Sequence, residues 1–403
     1  MSGMIVVISD DLSGAAELAG AAAARGLNAE VQLSFKPVAN ASSKPDLIAI
    51  SSNSRGCSPH EAAMAVEQTF RDVCAFHPDW IFKKVDSVLR GHVVEELRAA
   101  LSITGQSRAL LIPVNPTQGQ MIRDGIFYHQ GEPLYKSDFA MDPKHPVMSS
   151  EIVRMLAGSE DTDILVIGGQ GSLPDKGLVI PDAGTSKDLG ARAEQVDVHT
   201  LAAGGVEFFE ALLDRRWTGR ASRASDVASA PNPVSLSGPI TGRKRTLFVC
   251  GSKTAWDHGC EETCSTHNVP LVLMPSEFFG ADFSSHEAHA WAESIVGQLD
   301  AHHVMMLAIG DYGGDLPFQE NVLVTRLAEA IRELLSVCKV DRLFMEGGAT
   351  AAAILSTMHW MHLEVKHQHL GLPALREVSG RGPEMLIKPG CDPWPKDVWG
   401  SVR

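Results

Sequence analysis

Residues Met4 to Arg25 constrain the fold more than any other stretch of this 403-residue chain. Met4-Ile5-Val6-Val7-Ile8-Ser9 is a continuous apolar, largely β-branched run without polar alternation, the pattern of a strand buried on both faces of a parallel sheet. Asp10-Asp11-Leu12-Ser13-Gly14 follows, and then an Ala-rich stretch of strong helix formers up to Arg25. Asp11 or Ser13 is placed to cap that helix, and Gly26 suits the left-handed position past its end. Two carboxylates therefore sit between a strand and a helix. In open α/β sheets ligands bind at the carboxyl ends of strands, where an Asp pair can hold a hydroxyl or a cation. The competing reading is that Asp10 and Asp11 only cap the helix.

The strand, loop, helix pattern recurs throughout, and the length exceeds what one hydrophobic core usually serves. Two α/β domains are expected, each with a mainly parallel sheet flanked by helices: residues 1–216, a Ser/Ala/Gly/Pro/Arg-rich linker over 217–245, and residues 246–403. Hydrophobic content of 44% and charged content of 21% fit globular domains. A formal net charge of -14 argues against nucleic acid or an anionic membrane as partner, since both need a basic face. An acidic small substrate would need a local basic island. Seven irregularly spaced cysteines suggest reduced thiols rather than a disulfide framework. The first residues lack a signal-peptide layout and no apolar run is long enough to span a bilayer, so a soluble, cytoplasmic protein is expected. A homodimer is compatible with all of this.

Strands are predicted at 28–33, 46–51, 80–85 and 109–114. The strand at 46–51 leads into Ser52-Asn53-Ser54-Arg55-Gly56, and a helix follows over 59–74. The strand at 80–85 delivers Lys83-Lys84-Val85-Asp86-Ser87-Val88-Leu89-Arg90-Gly91, where three cations accompany one carboxylate. This is the expected basic island, with Arg90 suited to a bidentate grip on a substrate carboxylate. Residues 117–150 read as a long, ordered, irregular loop. Gly168-Gly169-Gln170-Gly171-Ser172 follows a strand and is read as a tight turn or, less well supported, a phosphate cradle. In the second domain Thr246 to Cys250 leads into Gly251-Ser252-Lys253-Thr254. Arg342 to Met345 leads into Glu346-Gly347-Gly348-Ala349-Thr350 before a helix, where backbone N–H groups and the helix dipole can face a phosphate. Met385 to Ile387 delivers Lys388-Pro389-Gly390.

Several chemistries are excluded. Gly251 to Thr254 lacks the spacing of a P-loop, and no G-x-G-x-x-G follows the first strand. Adjacent Asp10 and Asp11 do not match the two-apart aspartates of aspartyl-phosphate phosphatases. His359, His362, His367 and His369 cluster, with His359 and His362 able to share a helix face, but no Cys or carboxylate stands at metal-ligand spacing. Cys260 and Cys264 are judged likewise, and no metal site is expected.

Ser9-Asp10-Asp11-Leu12-Ser13-Gly14-Ala15 resembles the A-D-D-x-T-G-A opening of the four-carbon acid sugar kinases, the threonate and erythronate kinase-like proteins. Ser54-Arg55 resembles that family's S-R, and residues 84–91 its K-x-D-S-T-L-R-G. Gly131-Glu132-Pro133-Leu134 with Asp138-Phe139-Ala140-Met141-Asp142-Pro143 is similar to G-x-P-x…E-F-A-x-D-P. The likeness runs on through Asp182-Ala183 and Asp188-Leu189 to Gly251-Ser252, Gly347 to Thr350 and Lys388 to Gly390, covering nearly the whole chain.

The resemblance implies a kinase whose N-terminal domain binds a short sugar acid and whose C-terminal domain binds ATP, with a terminal hydroxyl phosphorylated in the interdomain cleft. Asp11 and Asp86 then orient the hydroxyl, with Asp10 beside them. Arg55, Lys84 and Arg90 face the substrate carboxylate or the moving phosphoryl group, and Ser87 lies in the substrate site. Gly251, Ser252, Gly347, Gly348, Ala349, Thr350, Lys388 and Gly390 face ATP, and Mg2+ accompanies the nucleotide. Three departures stand out. Ala349 replaces an acidic residue of the family's G-G-D/E-T. Cys391-Asp392-Pro393 replaces G-F-G after Lys388-Pro389-Gly390. Gln120 replaces a common arginine. The competing expectation is thus a catalytically impaired sugar-acid binding or regulatory protein on the same scaffold.

Overall fold

The computed structural model describes residues 3–36, 44–142, 145–156, 163–169, 171–216, 244–257, 259–280, 283–311, 317–369, 371–390 and 392–401. Most of the expected linker, 217–243, lies outside them. The chain divides into two compact units, Met1–Pro231 and Asn232–Arg403.

The first unit is built on a parallel sheet. Its strands are β1 (Ile5–Ser9), β2 (Ala29–Gln32), β3 (Leu47–Ser51), β4 (Trp80–Lys84), β5 (Arg108–Ile112), β9 (Ile164–Ile167), β10 (Gly177–Pro181) and β11 (Thr200–Gly204), in the order β2-β3-β1-β4-β11-β5-β10-β9. Every described pairing among them is parallel. All five residues of β1 are buried, as its unbroken apolar run requires. β3 lies on one side of it and β4 on the other, so the strand order reverses at β1, where open α/β sheets place their ligands.

Helix α1 (Leu12–Ala23) starts where Asp11, in extended backbone conformation, accepts the Gly14 N–H at 2.8 Å. Helix α2 (Pro59–Cys74) opens on a Ser58/Glu61 capping box with proline in its first turn, and α3 (Val93–Thr104) ends at Gly105 in the left-handed region.

Two expectations are corrected. Residues 117–150 are not irregular throughout: β6 (Gln120–Arg123), β7 (Ile126–His129) and β8 (Glu132–Pro133) form a small antiparallel sheet. Each strand is too short to announce itself by alternation. β11 was not expected at all, yet it lies between β4 and β5. Its sequence, Thr-Leu-Ala-Ala-Gly, has no branched apolar run, and its last residue must be glycine because a Cβ on Gly204 would lie 2.0 Å from the Ile112 carbonyl oxygen.

The second unit has β12 (Thr246–Cys250), β13 (Leu271–Leu273), β14 (Val304–Ala308), β15 (Arg342–Glu346), β16 (His362–His369), β17 (Leu372–Glu377) and β18 (Glu384–Lys388), ordered β13-β14-β12-β15-β18-β17-β16. The first five of that order pair in parallel, while β16 and β17 form an antiparallel hairpin that joins β18. The hairpin corrects the histidine reading. His362, His367 and His369 lie on strand β16 and His359 in the turn before it, so no helix face unites them. Again the first strand, β12, is flanked on both sides, by β14 and β15.

Adjacent residues of β4 diverge to opposite faces. Lys83 is fully buried and pairs with Glu96 of α3 at 2.7 Å, while Glu96 also accepts the Ser54 hydroxyl at 2.6 Å. A lone charge at such depth is far costlier than the pair. Lys83→Met or Glu96→Gln alone should therefore cost about 3–5 kcal/mol in urea unfolding, and the double variant much less than their sum. Additive losses would show the pair to be uncoupled.

Candidate active site

At the carboxyl ends of β1, β3 and β4 the chain gathers a carboxylate–guanidinium network. Arg55, in the loop after β3, grips Asp10 with Nε to Oδ2 at 2.6 Å and Nη2 to Oδ1 at 3.0 Å. Its Nη1 donates to Asp11 Oδ2 at 2.9 Å and lies 3.7 Å from Asp86. Arg90 takes Asp86 in the same two-pronged way, at 2.9 and 2.7 Å, and extends Nη1 to Asp142 at 2.9 Å under the Phe139 ring. Asp86 also accepts the backbone N–H groups of Val88 and Arg90, which fixes the turn that presents Arg90. Lys84 pairs with Glu17 of α1 at 3.3 Å and donates to the Val85 carbonyl. Ser87 accepts from Gln120 at 3.4 Å.

Asp10, Asp11, Lys84 and Asp86 are all buried, and charge decides their ionisation. Burial pushes the Asp10 carboxyl up, but Arg55 outweighs it and holds the group below the usual carboxylate range. Burial likewise opposes ionisation of Asp86, and Arg90 and then Arg55 overcome it, keeping that carboxyl far below its ordinary value. Burial pulls Lys84 down while Glu17, Asp10, Asp11 and Asp86 hold it up, so it stays protonated.

The first-unit residues expected in the site therefore meet: Asp10, Asp11, Arg55, Lys84, Asp86, Ser87 and Arg90. Asp11 does cap α1, and it pairs with Arg55 as well, whereas Asp10 serves the network. One expectation fails. The island is not basic in space, because Lys83 leaves to the opposite face while Glu17, Asp10, Asp11, Asp86 and Asp142 surround Lys84, Arg55 and Arg90. Glu17, on the second turn of α1, had no local signal. Asp142 had only its place in the 138–143 motif. His145, whose N–H donates to Asp142, was likewise unmarked. Burial lowers its pKa, and Arg55, Arg90 and His92 add to the effect against Asp142, so it is neutral at pH 7.

In the second unit the loops after β12, β15 and β18 converge. Gly347 adopts φ +90° at the start of the helix Gly348–Thr357 and donates its N–H to the Lys388 carbonyl at 2.9 Å. A Cβ on Gly251 would lie 2.7 Å from Thr350 Oγ1, and one on Gly390 3.3 Å from Ser252 Oγ. Thus Gly251, Ser252, Gly347, Gly348, Thr350 and Gly390 form one cluster. Gly347 and Gly348 are buried, while Ala349 is exposed. Thr350 Oγ1 is buried without a hydrogen-bond partner among the described residues, an unmet donor at a helix N-terminus whose first N–H groups have no intrahelical acceptor. Lys388 is turned inward, its ammonium donating to the Pro389 and Asp392 carbonyls at 3.2 and 2.6 Å and lying 3.7 Å from Glu346. Gln170 of the other glycine-rich turn lies outside the described residues. Around it the Gly169 and Gly171 carbonyls accept from Arg192, a stapled turn rather than an array of donors for an anion.

Mainly parallel strands flanked by helices, with charged or glycine-rich loops at the points where strand order reverses, define a two-unit α/β protein. The chain belongs to the family with the sugar-binding N-terminal domain, whose pattern matches residues 5–206. It is 26% identical to a D-erythronate kinase of Heliobacterium modesticaldum over 93% of this chain and 90% of that one. It is 27% identical to a D-threonate kinase of Cupriavidus necator over 87% and 85%. A 3-oxo-tetronate kinase of Methylobacterium radiotolerans is 24% identical over 96% and 95%. In fold it is similar to a Salmonella typhimurium LT2 protein crystallised under a provisional tRNA synthase label, with TM-score 0.70 and 18% identity over 98% and 97% of the chains. It is also similar to a Haemophilus influenzae protein of the DUF1537 family, with TM-score 0.63 and 17% identity over 96% of each. No helix of the described residues is long and apolar enough to cross a membrane.

The depressed Asp86 carboxyl has a testable sign. A carboxyl whose folded pKa lies below its unfolded value contributes stability that is complete above about pH 4 and is lost as pH falls toward the folded value. Arg90→Met should cost about 3–5 kcal/mol at pH 7 by leaving buried carboxylates under-paired. In urea unfolding the gap from wild type should narrow below about pH 4, where protonation relieves the variant. A gap unchanged with pH would mean that Arg90 does not set the ionisation of Asp86.

Proposed function

We propose that the protein is a kinase that transfers the γ-phosphoryl group of ATP to a hydroxyl of a four-carbon sugar acid. The carrying observation is the Asp11 and Asp86 carboxylates drawn together around Arg55, with Arg90 gripping Asp86, in a chain aligned nearly end to end with kinases of such acids. Phosphoryl transfer through a loose transition state needs orientation and charge stabilisation more than covalent chemistry.

In this reading Asp11 and Asp86, with Asp10 behind them, accept from the attacking hydroxyl and align it. Arg55 uses three of its five N–H donors on Asp10 and Asp11, and its Nη1 also lies 3.7 Å from Asp86. Arg55, Lys84 and Arg90 then face the substrate carboxylate or the migrating phosphoryl group, and Ser87 adds a hydroxyl contact. Gly251, Ser252, Gly347, Gly348, Ala349, Thr350 and Gly390 would cradle the phosphates, with backbone N–H groups other than that of Gly347 as the main donors and Lys388 bracing the loop from behind.

Magnesium fits this second site only in part. Thr350 Oγ1 is an oxygen still to be satisfied, but the loop offers no carboxylate where Ala349 stands. When bound with ATP, Mg2+ supplies charge neutralisation on the phosphates. A cytoplasmic location, which the substrates suit, and a homodimer remain part of the proposal. So does phosphorylation at the terminal hydroxyl. It also requires that acceptor and donor meet, so adding both ligands should compact the protein in small-angle scattering.

Mg-ATP at millimolar concentration should raise the melting temperature, and a coupled assay over threonate, erythronate and 3-oxo-tetronate should find at least one acceptor. Asp11→Asn keeps an N-cap side chain, so it should fold normally and lose about 10²- to 10⁴-fold in kcat. No stabilisation by nucleotide and no turnover of any such acid would instead favour the non-catalytic sugar-acid binding protein.

A further inference from the structure

Directly beneath the glycine loops of the second unit lies a group of side chains that the proposed kinase chemistry leaves unused. Cys250 ends β12 and Glu346 ends β15, and the two are register partners across adjacent parallel strands, so both side chains leave the sheet on the same face. Cys260, the first residue of the helix Cys260–His267, joins them. One donor atom from each of the three lies within 4.8 Å of the other two, and all three residues are buried. Cys264, one helical turn on from Cys260, is buried against the same core as Phe248, Trp394 and Trp399.

Thiols alone in such a place would be ordinary apolar packing. The carboxylate is what packing does not explain. Glu346 is held by the Trp394 indole N–H and by Lys388 at 3.7 Å, and both contacts fall on Oε1, so Oε2 takes no part in either. Two sulfurs and a carboxylate oxygen brought together by three separate segments are the donor set of a borderline-soft divalent ion.

We propose that Cys250, Cys260 and Glu346 bind a thiophilic divalent cation of the zinc class. Binding displaces one proton from each of the two thiols to solvent. Two thiolates, one carboxylate and the dication leave a single negative charge, which the Lys388 ammonium balances. Because both thiols must give up a proton to ligate, uptake should weaken as pH falls. Cys250 and Glu346 immediately precede Gly251 and Gly347, so a bound ion would pin two of the three loops to one centre. That consequence for nucleotide binding rests on the proposed kinase reading, whereas metal uptake itself does not.

The test is titration of the reduced full-length protein with Co2+ in the absence of nucleotide and sugar acid. One equivalent should bind and give thiolate-to-cobalt charge-transfer absorption. Zn2+ should displace it, and Mg2+ in large excess should not. Cys260→Ser should abolish the absorption and Cys338→Ser should retain it, while Glu346→Gln should weaken Co2+ binding at least about tenfold, as loss of one ligand does. Absence of the band in the wild-type protein, or its persistence in Cys260→Ser, would overturn the site. The wild-type titration decides even if a serine variant does not fold, and it is independent of whether the protein phosphorylates a sugar acid.

Discussion

The pairing of Arg55 and Arg90 with aspartates from three segments is the constraint on which the first unit depends. A carboxylate buried at a strand end is tolerated only with a matched cation and satisfied hydrogen bonds. Asp10 follows β1, Arg55 follows β3, Asp86 and Arg90 follow β4, and Asp142 comes from the segment after the small antiparallel sheet. Arg55 ties the end of β3 to those of β1 and β4, and Arg90 ties the end of β4 to the segment at Asp142. The network thus holds the loop ends in register with one another, and it favours the charged forms of Asp10 and Asp86. A rigid, ionised acceptor site is what orientation-dominated chemistry needs, because little has to reorganise when the substrate arrives.

The second unit solves a different problem with a different material. Its loops converge through glycines and a buried threonine rather than through charge, and its one well-placed ammonium is spent on carbonyls and on Glu346. Lys253, the other cation nearby, is taken by Asp257 and lies 3.5 Å from Asp311. A polyanion there would meet backbone N–H groups and a helix dipole, which bind phosphate without requiring side-chain cations.

The strands most legible from sequence were those with unbroken branched-apolar runs: β1, β3 and β12 emerge within a residue or so of where their patterns place them. What stayed hidden was hidden for stated reasons. β11 is a central strand written in alanine and glycine, a composition without the branched apolar run that marks β1 and β3, and β6 to β8 are too short for alternation to register. β16 alternates histidine with other residues, a composition that reads as surface until its partner β17 is known. In the site, Asp10, Asp11, Arg55, Asp86 and Arg90 were legible because each sits next to its strand. Glu17, Asp142 and His145 reach the network from elsewhere in the chain. The thiol cluster was invisible to spacing for the same reason, since Cys250, Cys260 and Glu346 share no local motif. The net basicity inferred from Lys83, Lys84 and Arg90 failed because a strand sends neighbouring residues to opposite faces.

The departures at 349 and 391–393 carry less weight in three dimensions than on paper. Ala349 is the exposed member of its loop, so its substitution removes a side chain from the surface of the cradle and leaves the conformation set by Gly347 and the Lys388 carbonyl intact. Asp392 offers its carbonyl to Lys388, and Trp394 donates to Glu346, so the residues around Pro393 are folded into the support beneath the loop. A proline costs a backbone donor only where that donor faces the ligand. Under the kinase reading, the altered tail therefore acts on how firmly the loops are held, and the lost carboxylate acts on how magnesium is shared between protein and nucleotide. A carboxylate for magnesium at position 349 is what the nucleotide loop then lacks, and Thr350 is left as its nearest side-chain oxygen.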